Sequence, residues 1–134
     1  MDQELLVRKH SGEFRAITNV LLDNYSDIEM IFFLPNFKSE TEFNYNDYTL
    51  FISAKSFDDM YDFDVYLEVF NLFNDNLTDK ENDLISRITK FETNSSERQS
   101  IKKIIRSDST SLVNLKNNYL NNIKLPDGLL TLSL

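Results

Sequence analysis

Two short stretches of this chain concentrate side chains able to do chemistry. From Phe57 to Glu68, the carboxylates Asp58, Asp59, Asp62, Asp64 and Glu68 alternate with Phe57, Met60, Tyr61 and Phe63. Between Phe37 and Asp47, the acids Glu40, Glu42 and Asp47 surround Phe43 and Tyr45. Carboxylates this dense can hold a divalent cation, exchange protons or meet a basic surface. A helix-loop-helix calcium loop needs a glycine at its sixth position and a glutamate at its twelfth, and neither follows these aspartates. No Glu-x-Lys or Asp-x-Lys follows an aspartate run either, so the usual metal-dependent nuclease pattern is missing. Glycoside hydrolysis needs only two carboxyl groups at the right separation, but the chain has no tryptophan to serve as a sugar platform.

Recognition fits the residue types better. Exposed aromatics supply affinity, and acids around them steer a basic partner and speed the encounter. The predicted partner-binding residues are therefore Asp58, Asp59, Tyr61, Asp62 and Asp64, with Glu40, Glu42, Phe43 and Tyr45 as a second group. A plainer reading stands beside this one: Asp58, Asp59 and Asp62 would complement a helix N-terminus, and the aromatics would fill the core.

Other chemistries have little to work with. The chain has no cysteine, which excludes disulfides, thiol nucleophiles and cysteine-based metal centres. Its one histidine, His10, cannot build a histidine cage, and a serine triad would depend on it alone. Gly12 and Gly128 are the only glycines. Phosphate loops, dinucleotide fingerprints and nucleophile elbows all need glycine where the backbone turns sharply or approaches a phosphate. The expectation is a protein that is not an enzyme and has no cofactor or metal.

The 134 residues carry 22 acids against 14 bases, a formal charge of −8. Such a surface repels nucleic acid and anionic lipid and attracts basic proteins. The charge is polarised: residues 1–97 hold 20 acids and 8 bases, and residues 98–134 hold 2 acids and 6 bases. The longest uninterrupted apolar run is Met30 to Leu34, far short of a membrane span. A single cytoplasmic domain over residues 1–134, touching neither nucleic acid nor membrane directly, is expected.

The elements that must position these residues follow from periodicity. Leu6, Phe14, Ile17, Leu21 and Tyr25 mark a helix over about residues 3–24, with a break near Ser11-Gly12 as an alternative. Ile28–Leu34 and Tyr48–Ala54 read as the strands of a hairpin joined by a long loop that begins at Pro35. Phe63, Tyr66, Leu67, Phe70, Phe73 and Leu77 form the inward stripe of a central helix, flanked by Val65, Val69 and Leu72; the Phe63/Val65/Leu67/Val69 alternation offers a strand instead. Thr78-x-x-Glu81 and Ser96-x-x-Gln99 are capping boxes, predicting helices with Leu84, Ile85, Ile88 and Phe91, then Ile101, Ile104 and Ile105, inside. Leu112, Leu115, Tyr119 and Ile123 suggest a last helix. Leu130–Leu134 alternates as a strand that either completes the sheet or docks on a partner.

The predicted fold is α+β, mostly helical with about five helices, and with a small antiparallel sheet of two or three strands. The predicted function is inhibition of a basic protein partner, such as a nuclease or nucleic-acid effector. That is the chemistry of a toxin immunity protein or a phage anti-restriction or anti-CRISPR factor. A dimeric secretion-type chaperone or adaptor, or a phage assembly subunit that self-associates, are the alternatives.

Overall fold

A computed structural model describes residues 9–96, 98 and 99, and the backbone of 107–113, 119–120, 123–124 and 129–133. Helix α1 spans Ser11–Asn24 and buries Phe14, Ile17, Thr18 and Leu21, one face at three- and four-residue spacing. It begins at the Ser11-Gly12 position where the sequence offers a break, so Gly12 sits in the first turn rather than mid-helix. The earlier part of the expected 3–24 helix, residues 3–8, lies outside the described residues.

Strands β1 (Ile28–Phe37) and β2 (Phe43–Ala54) pair antiparallel in a hairpin longer than the sequence suggests. The expected 35–47 loop shrinks to residues 38–42, where Lys38 N–H donates to the Glu42 carbonyl at 2.8 Å. Pro35 does not end β1. It faces Tyr48, and the register then slips to Asn36 opposite Asn44, leaving Tyr45, Asn46 and Asp47 looped out as a bulge. A bulge is one of the few places where a sheet tolerates a residue without an N–H. The bulge is held by Asn46 N–H donating to Asn44 Oδ1 at 3.0 Å, while Asn46 Oδ1 lies 3.0 Å from His10 Nε2.

After a 3-10 turn at Lys55–Phe57, helix α2 runs from Asp62 to Asn76. The Thr78 box then forms as predicted: Glu81 N–H donates to Thr78 Oγ1 at 3.2 Å, and Thr78 N–H to Glu81 Oε1 at 2.9 Å. Its helix, α3, ends after one turn at Asp79–Asn82. The chain then becomes β3 (Ile85–Lys90), parallel to β2, where the sequence predicts helix. Unpaired backbone groups along β2 and β-branched Ile85, Ile88 and Thr89 favour the strand. Tyr48 N–H donates to the Leu84 carbonyl and Phe91 N–H to the Ile52 carbonyl, both at 2.9 Å, closing the two ends of the pairing.

On the other side of β1, β7 (Leu129–Ser133) pairs antiparallel, and β4 (Ser107–Val113) pairs with β7. The C-terminal strand thus returns to the hairpin. A separate small ribbon joins β5 (Tyr119–Leu120) to β6 (Ile123–Lys124). The main sheet order is β3-β2-β1-β7-β4, with the mixed β3-β2-β1 unit at one side.

The α+β class stands, but the helical majority does not. Among the described residues there are three α-helices, not about five, and the sheet is mixed rather than a small antiparallel one. The predicted last helix falls partly on β4, β5 and β6, and the expected helix with Ile101, Ile104 and Ile105 inside lies outside the described residues. The predicted cap at Ser96 moves one residue: Arg98 N–H donates to Ser95 Oγ at 3.1 Å.

One sheet face carries the helices. Phe14, Ile17 and Leu21 of α1 and Val65, Val69 and Phe73 of α2 pack with Ile31, Phe33, Tyr48, Leu50 and Ile52 in one buried cluster. The alternate strand residues Met30, Phe32 and Ser53 point to the opposite face and are buried too.

Candidate protein-interaction face

Helix α2 forms where no glycine or proline interrupts, with Asp62 and Asp64 in its first turn, where the helix dipole favours carboxylates. Its buried residues are Val65, Val69 and Phe73. Val65 and Val69 come from the flanking stripe, Phe73 from the inward one, and the flanking Leu72 is only partly buried. Of the predicted inward set, only Phe73 is fully buried, and Tyr66 and Leu77 are partly so. Phe63 is 66% exposed, Leu67 41% and Phe70 38%. Both stripes are apolar, so periodicity alone does not choose between them. The short valines let the helix lie close to the sheet.

Phe63, Leu67 and Phe70 fall at i, i+4 and i+7 and share one row. Tyr66 stacks on Phe70 with ring centroids 5.6 Å apart and planes 13° apart. Tyr61, immediately before the helix, is 82% exposed. Asp59, Asp62 and Asp64 are exposed around the same end. The result is an apolar row headed by a tyrosine and bordered by acids.

A cation fixes the segment that presents this face. The side chain of Lys90 is 6% exposed, and its ammonium donates to the carbonyls of Phe57 at 2.8 Å and of Met60, with Asp58 O at 3.5 Å. Glu92 Oε1 lies 3.8 Å from the same nitrogen. Thr93 clamps the turn from its side chain and backbone: its N–H and Oγ1 donate to the two Asp58 carboxylate oxygens at 3.0 and 2.6 Å. Asp27 holds the preceding residue, accepting from Ser56 N–H at 2.6 Å and from Ser56 Oγ at 3.1 Å. Farther along α2, Tyr25 Oη donates to Glu68 Oε2 at 2.8 Å. Burial first, and then this carboxylate, push the Tyr25 hydroxyl well above its usual pKa.

Asp58 is therefore an internal hydrogen-bond acceptor, whereas Asp59, Tyr61, Asp62 and Asp64 are free to meet a partner. The second predicted group sits elsewhere. Glu40 and Glu42 are exposed at the hairpin tip. Phe43 stacks on Phe37 at 4.7 Å and 21°, and Tyr45 lies 6.1 Å from Phe43. β2 leads from this tip to the segment before α2, so at about 3.3 Å per residue on the order of 30 Å of strand separates the two groups. They do not form one site. The periodicity predicts Leu67 and Phe70 in the core; the flanking Val65 and Val69 are the signal that could move them outward. Nothing local marks Lys90, because its acceptors are backbone carbonyls some thirty residues earlier in the chain.

Among the described residues, no three histidine, aspartate or glutamate side chains are grouped to hold a metal ion. No helix of the described residues is long and apolar enough to cross a membrane. No family model, curated protein or solved structure matches the chain.

Proposed function

We propose that this protein is an acidic protein-binding inhibitor that occupies a basic surface of a nucleic-acid-handling target through the exposed face of α2. The observation that carries the reading is the row Phe63, Leu67 and Phe70, headed by Tyr61 and bordered by Asp59, Asp62 and Asp64. Burying each large side chain contributes about 1.5–3 kcal/mol, against which association costs several. Tyr61 and Phe63, the most exposed of the four, have the most to gain, and Leu67 and Phe70 add a smaller share. The acids carry the charge that a basic cleft binds in phosphates, and they steer the encounter. Two copies of this face would set acid against acid, so the charge favours a basic partner over self-association. The C-terminal strand lies between β1 and β4, which removes the free strand on which self-assembly through it would depend.

The test is to identify the protein retained at low salt and lost at high salt, purify it, and measure its activity and binding kinetics with and without this chain. Asp59→Asn/Asp62→Asn/Asp64→Asn should slow association about tenfold at low ionic strength. Phe63→Ala/Phe70→Ala should raise the dissociation rate thirtyfold or more, on the order of 2 kcal/mol. Kinetics untouched by both variants, or a retained partner that is an unfolded acidic client, would overturn the reading.

A further inference from the structure

On the sheet face opposite the helices, the tip half of the β1–β2 hairpin and β3 line a half-open cavity of about 350 Å³. Its apolar walls are Leu34, Pro35, Phe37 and Phe51, and its polar residues are Asn36, Thr49 and Arg87. The size lies at the lower end of small-molecule pockets, roughly 300–1,000 Å³.

Both aromatic walls are braced from behind. Phe51 stacks on Phe91 at 5.3 Å and 19°, and Phe37, though 56% exposed, stacks on Phe43 at 4.7 Å. The Asn36 amide is fixed by neighbours: its Nδ2 donates to Asp47 Oδ2 at 3.1 Å and to Ser86 Oγ at 3.0 Å, and its Oδ1 accepts from Thr49 Oγ1 at 2.5 Å. Those bonds use both amide hydrogens and the Thr49 hydroxyl hydrogen. The donor left for a ligand is Arg87, whose side chain makes no ion pair or hydrogen bond among the described residues. Its guanidinium is exposed, on a chain with eight more acids than bases. Its planar fork matches a carboxylate, and the two rings match a flat apolar body. The carboxylates of α2 lie in the helical layer, across the sheet from it.

We infer that this cavity binds a flat aromatic carboxylate of small-molecule size, with the ring between Phe37 and Phe51 and the carboxylate on Arg87. The site is independent of the α2 face.

The probe is 2-naphthoate, titrated into the isotope-labelled full chain and followed by backbone amide shifts. A saturable response with a dissociation constant between about 10 µM and 1 mM is expected for a ligand of this size. Shifts should centre on residues 34–37, 49–51 and 86–88. Arg87→Gln, an exposed change that leaves the core untouched, should weaken binding about tenfold, and uncharged 2-naphthylmethanol should bind the native chain as weakly. No saturable response below about 5 mM, or shifts centred elsewhere, would overturn the site. Equal binding of acid and alcohol would overturn the role of Arg87 and with it the ligand class.

Discussion

The segments Phe57–Glu68 and Phe37–Asp47 carry the same mixture of acids and aromatics, yet they leave different things on the surface. In the first, anchoring and presentation fall to different residues. Phe57 is buried and Asp58 is bonded to Thr93, while Tyr61 and Phe63 stand out with their acids beside them. In the second, the aromatics satisfy one another, Phe37 on Phe43 and Phe43 near Tyr45, and Asp47 accepts from Asn36. Composition sets which chemistry is possible. Which side chains are free to exercise it depends on where the backbone's own hydrogen bonds need partners.

That difference breaks most severely at Lys90. Replacing it by Met keeps the apolar stem but removes the donor from the Phe57 and Met60 carbonyls, which are then left without their ammonium partner. Lys90→Met should lower unfolding free energy by about 3 kcal/mol, measured by urea denaturation. The same variant should loosen the presentation of Tyr61 and Phe63, whereas Phe63→Ala should leave stability within about 0.5 kcal/mol of native. A Lys90→Met protein as stable as the parent would show that the segment holds its shape without the cation.

The adjacent aspartates give a finer version of the contrast. Asp58→Ala removes the acceptor for both Thr93 donors and should cost about 2 kcal/mol. Asp59→Ala, one residue along and exposed, should change stability by less than about 0.5 kcal/mol but slow association with a basic partner. Equal stability losses at the two positions would abolish the division between anchor and face.

How much of this was legible in the sequence depended on the range of the interaction responsible. The Thr78 capping box is local, and both its bonds form; the helix it opens stops after one turn because β2 has a vacant edge that the chain fills with Ile85–Lys90. The apolar character of α2 was legible from spacing. Its rotation was not, since Val65/Val69/Phe73 and Phe63/Leu67/Phe70 both satisfy a helical period, and only packing against the sheet decides between them. The exposure of Asp59, Asp62 and Asp64 follows from their charge and from the position of Asp62 and Asp64 in the first turn of α2. Asp58, identical in type, was not separable from them, because its partner Thr93 lies 35 residues away. The cavity beside Arg87 depends on a bulge and on a parallel pairing, neither of which a hydropathy pattern encodes.

The smallest expected effect lies where α2 meets the end of α1. Tyr25 and Glu68 share one hydrogen bond, and the fold keeps the tyrosine protonated above its usual value near 10, through burial and then through the carboxylate. Tyr48 is held protonated in the same direction, by burial and then by Tyr45. A raised tyrosine pKa contributes stability that is complete below the unfolded value and is lost as pH rises toward the folded one, because the unfolded chain releases its protons first. Urea midpoints should therefore be flat from pH 7 to about 9 and fall above about 10. Tyr25→Phe should cost about 1 kcal/mol at neutral pH and reduce the alkaline slope by up to one proton, about 1.4 kcal/mol per pH unit. Parallel profiles for the two proteins would mean that Glu68 is not engaged by Tyr25 in solution and belongs with the free acids of the α2 face.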